Sequence, residues 1–523
     1  MFHSLTHSRV GRALRSACAG TLLAAVAAQA DVRLHPLFTD HTVLQQGKPV
    51  PVWGWADPGE KVTVQFAGQS VSTVTDAGGR WSVKLKSLKA TAASRTLQVT
   101  GKNSLNVEDV VVGEVWVCSG QSNMEWPMRA SANSQADIQG SANPLLRLFT
   151  VQKATSQLPL ANFNNPANHS WSLSAPDSVR GFSAVAYYFG RDLQKSLGVP
   201  VGLIHTSWGG SPAEAWTSPA TLRENHVYSR DILPNSINTL RNRKAAMAKW
   251  EADRDAAVAA GKPAPGKPFA GWLPGDLYNA MIEPLLPYGI AGAIWYQGES
   301  NAGRAWQYRS LFADMISDWR RAFGQGDFPF LAVQLAPWDK NRKRSIGDIT
   351  KEPGESDWAE LREAQNHATR ILRNVGVAVI TDVGDKDDIH PTQKQPVGAR
   401  LALLALRIGH NRRGPAQGPV YNSKSSADGK LILNFNEASG GLKSLDGAQL
   451  TGFAIAGEDR KWHWAQAEIR GNHQVVVSCP DVPKPVAVRY GWSDFPVVNL
   501  ANGAGLPASP FRTDDWPAIT NKP

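Results

Sequence analysis

Cysteine is almost missing: Cys18, Cys118 and Cys479 are the only three in 523 residues. So few cannot build a disulfide framework or a cysteine-based zinc site. Cys118 falls in an apolar stretch and Cys479 lies far from it, so both are expected to stay apart as small buried side chains. No run reaches the roughly twenty apolar residues of a membrane-spanning helix. Long basic tracts are missing too. Arg241-Asn242-Arg243-Lys244 and Lys340-Asn341-Arg342-Lys343-Arg344 are short clusters in a chain of formal charge +10. They read as solvated loops and helix faces, not as a nucleic-acid arm. There is no internal repeat and no Gly-x-Ser-x-Gly turn.

The first thirty residues have a pattern of their own. Arg9, Arg12 and Arg15 form a basic start, Ala17 to Ala27 is a short apolar run, and Ala28-Gln29-Ala30 suits cleavage. This is the pattern of a secretory signal, and it predicts a secreted or periplasmic protein starting near Asp31, free of the membrane after cleavage. The nineteen tryptophans are many for such a chain. Indole on an exposed loop can stack on the apolar face of a sugar ring.

Residues 31–105 alternate as short strands, among them Lys61-Val62-Thr63-Val64-Gln65-Phe66 and Trp81-Ser82-Val83-Lys84-Leu85. Turn signals such as Asp57-Pro58-Gly59 separate them, which predicts a small sandwich. From 106 to 412 the rhythm is strand, loop, helix. Strands are expected at 111–118, 201–206, 290–296, 330–335 and 377–381. Helices are expected at 184–197, 277–286, 306–323, 358–372 and 392–408. This predicts an α/β unit with a parallel sheet covered on both faces. Residues 219–275, first charged and alanine-rich and then rich in Pro, Gly and Lys, read as an inserted helical excursion and loop. Residues 413–523 return to strand patterns and predict a second sandwich.

Four of these strands end in polar loops, at 119–126, 207–212, 297–301 and 382–391. In a parallel sheet all four lie along one edge. They offer Ser122, then Gly209 and Gly210, then Gln297, then Asp387, Asp388 and His390. Each loop alone is ordinary turn or capping chemistry. Together they supply a hydroxyl, backbone and amide donors, an imidazole and a carboxylate, which is the set acyl transfer needs.

The blocks Gly120-Gln121-Ser122-Asn123-Met124-Glu125-Trp126, Gly209-Gly210, Trp295-Tyr296-Gln297-Gly298-Glu299-Ser300-Asn301 and Asp388-Ile389-His390-Pro391 resemble those of the sialate O-acetylesterase family, a branch of the SGNH hydrolases. The flanks Leu37 to Gln46 and Gly505 to Arg512 are similar to the family's as well, so the resemblance spans nearly the whole chain past residue 30. It implies a flavodoxin-like SGNH hydrolase domain between β-sandwich-like flanks, and removal of O-acetyl groups from sugars through an acyl-enzyme, without metal or other cofactor. The sugar could be sialic acid or a hemicellulose such as xylan or xyloglucan. By the same resemblance Ser122 is the nucleophile and His390 the base. The oxyanion hole is formed by the Ser122 and Gly210 N–H groups and the Gln297 side chain. Glu299, Asn301 and Trp208 are candidates for contacting substrate.

The acid that orients His390 is either Asp388 or Asp387. An extended stretch before Pro391, with His390 near a helix N-cap, favours Asp388, two residues before the histidine. Three other readings compete. A glycosidase would use Glu299 and Asp388 as its carboxylates. A metal-dependent hydrolase would gather Asp382, Asp385, Asp387, Asp388 and His390. A non-catalytic carbohydrate-binding protein would leave the four-loop convergence unexplained.

Overall fold

A computed structural model describes residues 31–269, 271–341 and 344–521. The expected signal segment, its cleavage point and Cys18 lie outside the described residues. The chain is mixed α/β, with one large mixed sheet and further antiparallel sheets in its C-terminal region.

Strand Ser104–Gly120 is the axis of the large sheet, and from Val110 to its end it is buried. Val110, Val111, Val112, Val115, Trp116, Val117 and Cys118 fill it, and β-branched and aromatic residues suit a strand covered on both faces. Its first half pairs antiparallel with Thr91–Thr100 of the N-terminal β region, and Val43–Gln45 joins it in parallel. Its second half lies between Val201–Ser207 and Gly292–Tyr296, both parallel to it. The boundary read at 105/106 therefore falls inside a continuous strand.

Outward on one side follow Phe330–Val333 and Val375–Ala378, all in parallel. On the other side lie Asn143–Thr150, parallel, and then Ser172–Ser174, antiparallel at the edge. The last two strands escaped the sequence reading. Pro144 and Arg147 interrupt the apolar pattern of Asn143–Thr150, and Ser172–Ser174 is only three residues long. The sheet is mixed because of that antiparallel edge and the N-terminal strands.

Helices Ala184–Leu197 and Gln395–Leu404 cover one face, and Ala305–Phe323 and Asp357–Ile371 the other. Ser183 caps the first helix through Ala186 N–H, and Gly198 ends it in the left-handed region. The first pair cross closely because Gly398 has no side chain: a Cβ there would lie 2.5 Å from Tyr188 Cβ. Three expected boundaries move. The last helix starts at Gln395 rather than Thr392, because Pro396 rather than Pro391 occupies its first turn. Residues 277–286 form a π turn, Tyr278–Ile282, and a 3-10 turn, Glu283–Leu285. Strand Val375–Ala378 lies earlier than read.

Residues 219–275 hold the helices Pro219–Glu224, His226–Asp231 and the 27-residue Leu233–Ala259, the last of which buries none of its residues. The chain beyond it folds back. Trp250 Nε1 donates to Pro265 O at 2.8 Å, and Arg243 pairs with buried Asp276 at 2.6 Å. Cys118 and Cys479 are both buried and unpaired.

The C-terminal region holds two four-stranded antiparallel sheets around a core that includes Leu433, Ile455, Val475, Val488 and Tyr490. It is tied to the large sheet through Arg362. That guanidinium is fully buried and donates to Leu335 O (2.9 Å), Ala336 O (3.3 Å), Ser493 O (2.6 Å) and Asp494 O (2.7 Å). Replacing it with an apolar chain strands those carbonyls in a dry interface. Arg362→Met should therefore lower the unfolding free energy by about 3 kcal/mol in urea titration. Arg407→Ala, which breaks a more exposed pair with Glu437, should cost no more than about 1 kcal/mol. Equal losses would show that Arg362 does not hold the two regions together.

Candidate active site

The sheet's middle strand ends at Gly120, where φ is 141° and a Cβ would lie 2.2 Å from Tyr296 O. Only glycine lets the neighbouring backbones approach so closely at this turn. The chain then enters a single helical turn, Ser122–Glu125, so Ser122 stands at a helix N-terminus above the sheet edge. Its N–H is the first of that turn and has no acceptor among the described residues. The chain leaves the middle strand towards one side of the sheet and later crosses to the other, so this edge is a crevice between diverging connections.

His390 comes to the same point from the loop after Val375–Ala378. Its Nε2 lies 2.9 Å from Ser122 Oγ. Trp126 stacks on the imidazole with ring centres 5.3 Å apart and planes 18° apart. Burial pulls His390 below the ordinary imidazole range; Asp388 opposes this and the Lys394 ammonium adds to it. A base that is neutral near physiological pH is the result.

The two candidate acids sit differently. Asp388 Oδ1 lies 3.5 Å from His390 Nδ1 and also accepts the His390 N–H at 2.8 Å. That second bond closes a side-chain turn, so the segment bends instead of running extended. Asp387 pairs with Lys386 and its side chain is 63% exposed. The other acids of the loop have separate partners: Asp382 is held by Arg400 at 2.6 Å, and Asp385 accepts the N–H groups of Asp387 and Asp388. The carboxylates that a metal centre would gather diverge.

On the neighbouring loop, a Cβ on Gly209 would lie 3.2 Å from Ser122 Cβ, so a larger residue would press on the serine. Gly209 N–H donates to Glu125 Oε2 at 2.8 Å, while Glu125 Oε1 pairs with Lys153 at 2.5 Å. Gly210 has φ of 78°, and its N–H has no acceptor among the described residues. Its carbonyl is fixed by Ser300 Oγ and Trp272 Nε1, both at 2.9 Å. Trp272 comes from the inserted segment and meets Trp208 edge-on at 4.9 Å; Lys153 lies over the Trp208 ring. Trp208 stays part-exposed beside the serine loop, as a substrate-contacting residue must.

Three residues of the 297–301 loop face inward. Gln297 is fully buried; its Nε2 donates to Asn301 Oδ1 at 2.7 Å and weakly to Ser211 O at 3.3 Å. Asn301 is 1% exposed, and its side chain accepts from Ala213 N–H and donates to Glu214. The Glu299 carboxylate is turned inward too, with Oε1 accepting Asn123 Nδ2 at 2.7 Å and Oε2 buried. It therefore cannot form the open carboxylate pair with Asp388 that a glycosidase needs.

Sequence reasoning missed Asn123, Glu125, Trp126 and Lys394. The first three stand in the block that carries Ser122, and polarity beside a nucleophile was the available signal. Nothing marked Lys394, because lysine is normally exposed.

A family profile described as carbohydrate esterase, sialic acid-specific acetylesterase matches residues 112–249 and 259–407, more than half of the chain. A carbohydrate acetylesterase from Xanthomonas citri of known crystal structure is 37% identical, superposes with a TM-score of 0.78, and the match covers 93% of this chain and all of that one. Sialate O-acetylesterase of Mus musculus is 29% identical over 520 residues, covering 91% of this chain and 93% of the mouse protein. The human sialate O-acetylesterase is 27% identical, with 88% of each chain covered. With its sheet-edge serine and histidine in contact, the chain belongs to this family of sialic acid-specific carbohydrate acetylesterases and is a carboxylic ester hydrolase.

Proposed function

We propose that the protein is an exported serine esterase that removes O-acetyl groups from carbohydrate through an acetyl-enzyme. The observation that carries this is the 2.9 Å contact between Ser122 Oγ and His390 Nε2. In the first step His390 takes the hydroxyl proton while Oγ attacks the acetyl carbonyl. The Ser122 and Gly210 N–H groups meet the developing oxyanion. Gln297 Nε2 joins them by giving up its long bond to Ser211 O. The sugar hydroxyl departs with the proton from His390. Water, losing its proton to His390, then attacks the acetyl carbon, and His390 returns the proton to Ser122 Oγ as acetate leaves. Asp388, the acid nearer Nδ1, holds the ring and steadies the imidazolium.

Strand order supports an SGNH-type, flavodoxin-like reading of the central unit. With Asn143–Thr150 and the edge strand Ser172–Ser174 set aside, the remaining parallel strands of the central unit run 2-1-3-4-5, the order of that fold. We read residues 31–105 and 413–523 as its flanking β units, the second having its own core. Export rests on the basic, apolar and small-residue pattern of residues 1–30; no described helix is long and apolar enough to cross a membrane.

The wild-type protein should release acetate from at least one of O-acetyl sialic acid, acetyl-xylan and acetyl-xyloglucan, and folded Ser122→Ala from none. A folded Ser122→Ala variant with near wild-type turnover rules out the serine mechanism.

Asp388→Asn should lower kcat far more than Asp387→Asn, because only Asp388 stands beside Nδ1. It should also shift the pH profile. The base acts when neutral, so kcat/KM rises as pH passes upward through the His390 value, which burial sets below the ordinary range. Asp388 raises that value, so its removal should move the rising limb to lower pH. A larger loss at Asp387 would show that the loop rearranges to present that acid.

A further inference from the structure

Lys394 lies four residues beyond His390 and points inward, 1% exposed. Its Nζ donates to Asn123 Oδ1 at 2.5 Å and faces the rings of Tyr296 at 5.4 Å and Trp126 at 5.7 Å. Asn123, fully buried, follows the serine directly. Its Nδ2 donates to Ile389 O at 3.0 Å and to Glu299 Oε1 at 2.7 Å. The other Glu299 oxygen is buried with no partner among the described residues. One amide thus ties together the serine's helix, the backbone just before His390, a buried carboxylate and a buried ammonium. Burying both charges is costly, and hydrophobic packing would have been a cheaper way to fill the space.

We propose that Lys394 is a positioning residue for the esterase reaction: its ammonium, balanced by Glu299, holds Asn123 so that Ser122 and His390 stay within reach of each other. Releasing Asn123 frees the carbonyl of Ile389, and with it the ring that must meet Oγ. The inference rests on the serine-esterase reading above.

The charged and titratable groups around Lys394 are Tyr296 at the end of Gly292–Tyr296, Glu299 from the loop after it, and Asp388 and His390 from its own loop. Burial lowers Lys394 to about 7, with Glu299 and Asp388 opposing that shift. The ammonium is present below this value and lost above it, so a falling alkaline limb follows the rising limb of His390. Glu299 raises the Lys394 value. Glu299→Gln should therefore move the falling limb to lower pH, which a purely structural contact would not do.

The experiment measures kcat and KM for an aryl acetate across pH in wild type, Lys394→Met, Glu299→Gln and Ser122→Ala, with folding followed by circular dichroism. Lys394→Met should lose about ten- to a hundredfold in kcat, with KM within about twofold, as misplaced reacting groups do. Glu299→Gln should shift the falling limb down by about half a pH unit or more. If Lys394→Met fails to fold, the Glu299→Gln profile decides. A Lys394→Met kcat within about twofold of wild type overturns the inference, as does a falling limb that is absent or unmoved in Glu299→Gln. An active Ser122→Ala overturns the serine reading itself. An inactive Ser122→Ala beside an unaffected Lys394→Met overturns only the role of Lys394.

Discussion

The close parallel pairing at the end of strand Ser104–Gly120 is the constraint on which the site depends. Its last residues bond to Val201–Ser207 on one side and Gly292–Tyr296 on the other. Gly120 lets the Tyr296 carbonyl come within a distance that any side chain would forbid. Once those backbones are fixed, the three loops that leave the same edge have little freedom. Ser122 must rise at the first helical turn, Gly209 must pack against it, and Gln297 must lie beneath.

His390 is brought in from 268 residues away, and no sheet pairing holds it there. Its position is set by side chains: Trp126 against its ring, Asp388 at its own backbone and Nδ1, and Asn123 on the carbonyl before it. Each of these contacts reaches back to the serine's own turn or to the loop itself. The site therefore joins a strand end held by sheet pairing to a histidine held by side-chain contacts. Buried Lys394 and Glu299 gather at Asn123, the residue where the serine's turn meets the backbone before the histidine.

Much of this was legible in the sequence, because hydrophobic periodicity reports which strands are buried and where they end. The strand through Cys118 and the loops at its edge follow from that pattern, whereas the roles of Ser122 and His390 come from the resemblance of their blocks to a known family. The two outer strands on one side did not, since Asn143–Thr150 carries a proline and an arginine and owes its place to its neighbours. The start of the last helix went to the wrong proline, because two prolines five residues apart offer the same local signal. Glu299 and Asn301 looked like substrate contacts by type and position. Their direction is decided by which buried polar groups need partners, and that appears only when the loops are assembled. Lys394 was invisible for the same reason.

The central claim is a covalent acetyl group on Ser122 during turnover. Acid quenching of the protein in the steady state with an aryl acetate, followed by intact mass measurement and peptide mapping, reads it directly. The account predicts a mass increase of one acetyl group on the peptide that carries Ser122, absent without substrate and reversed on standing in water. Sustained turnover with no acetylated protein at any quench time, or acetyl on a different residue that disappears at the turnover rate, would contradict it.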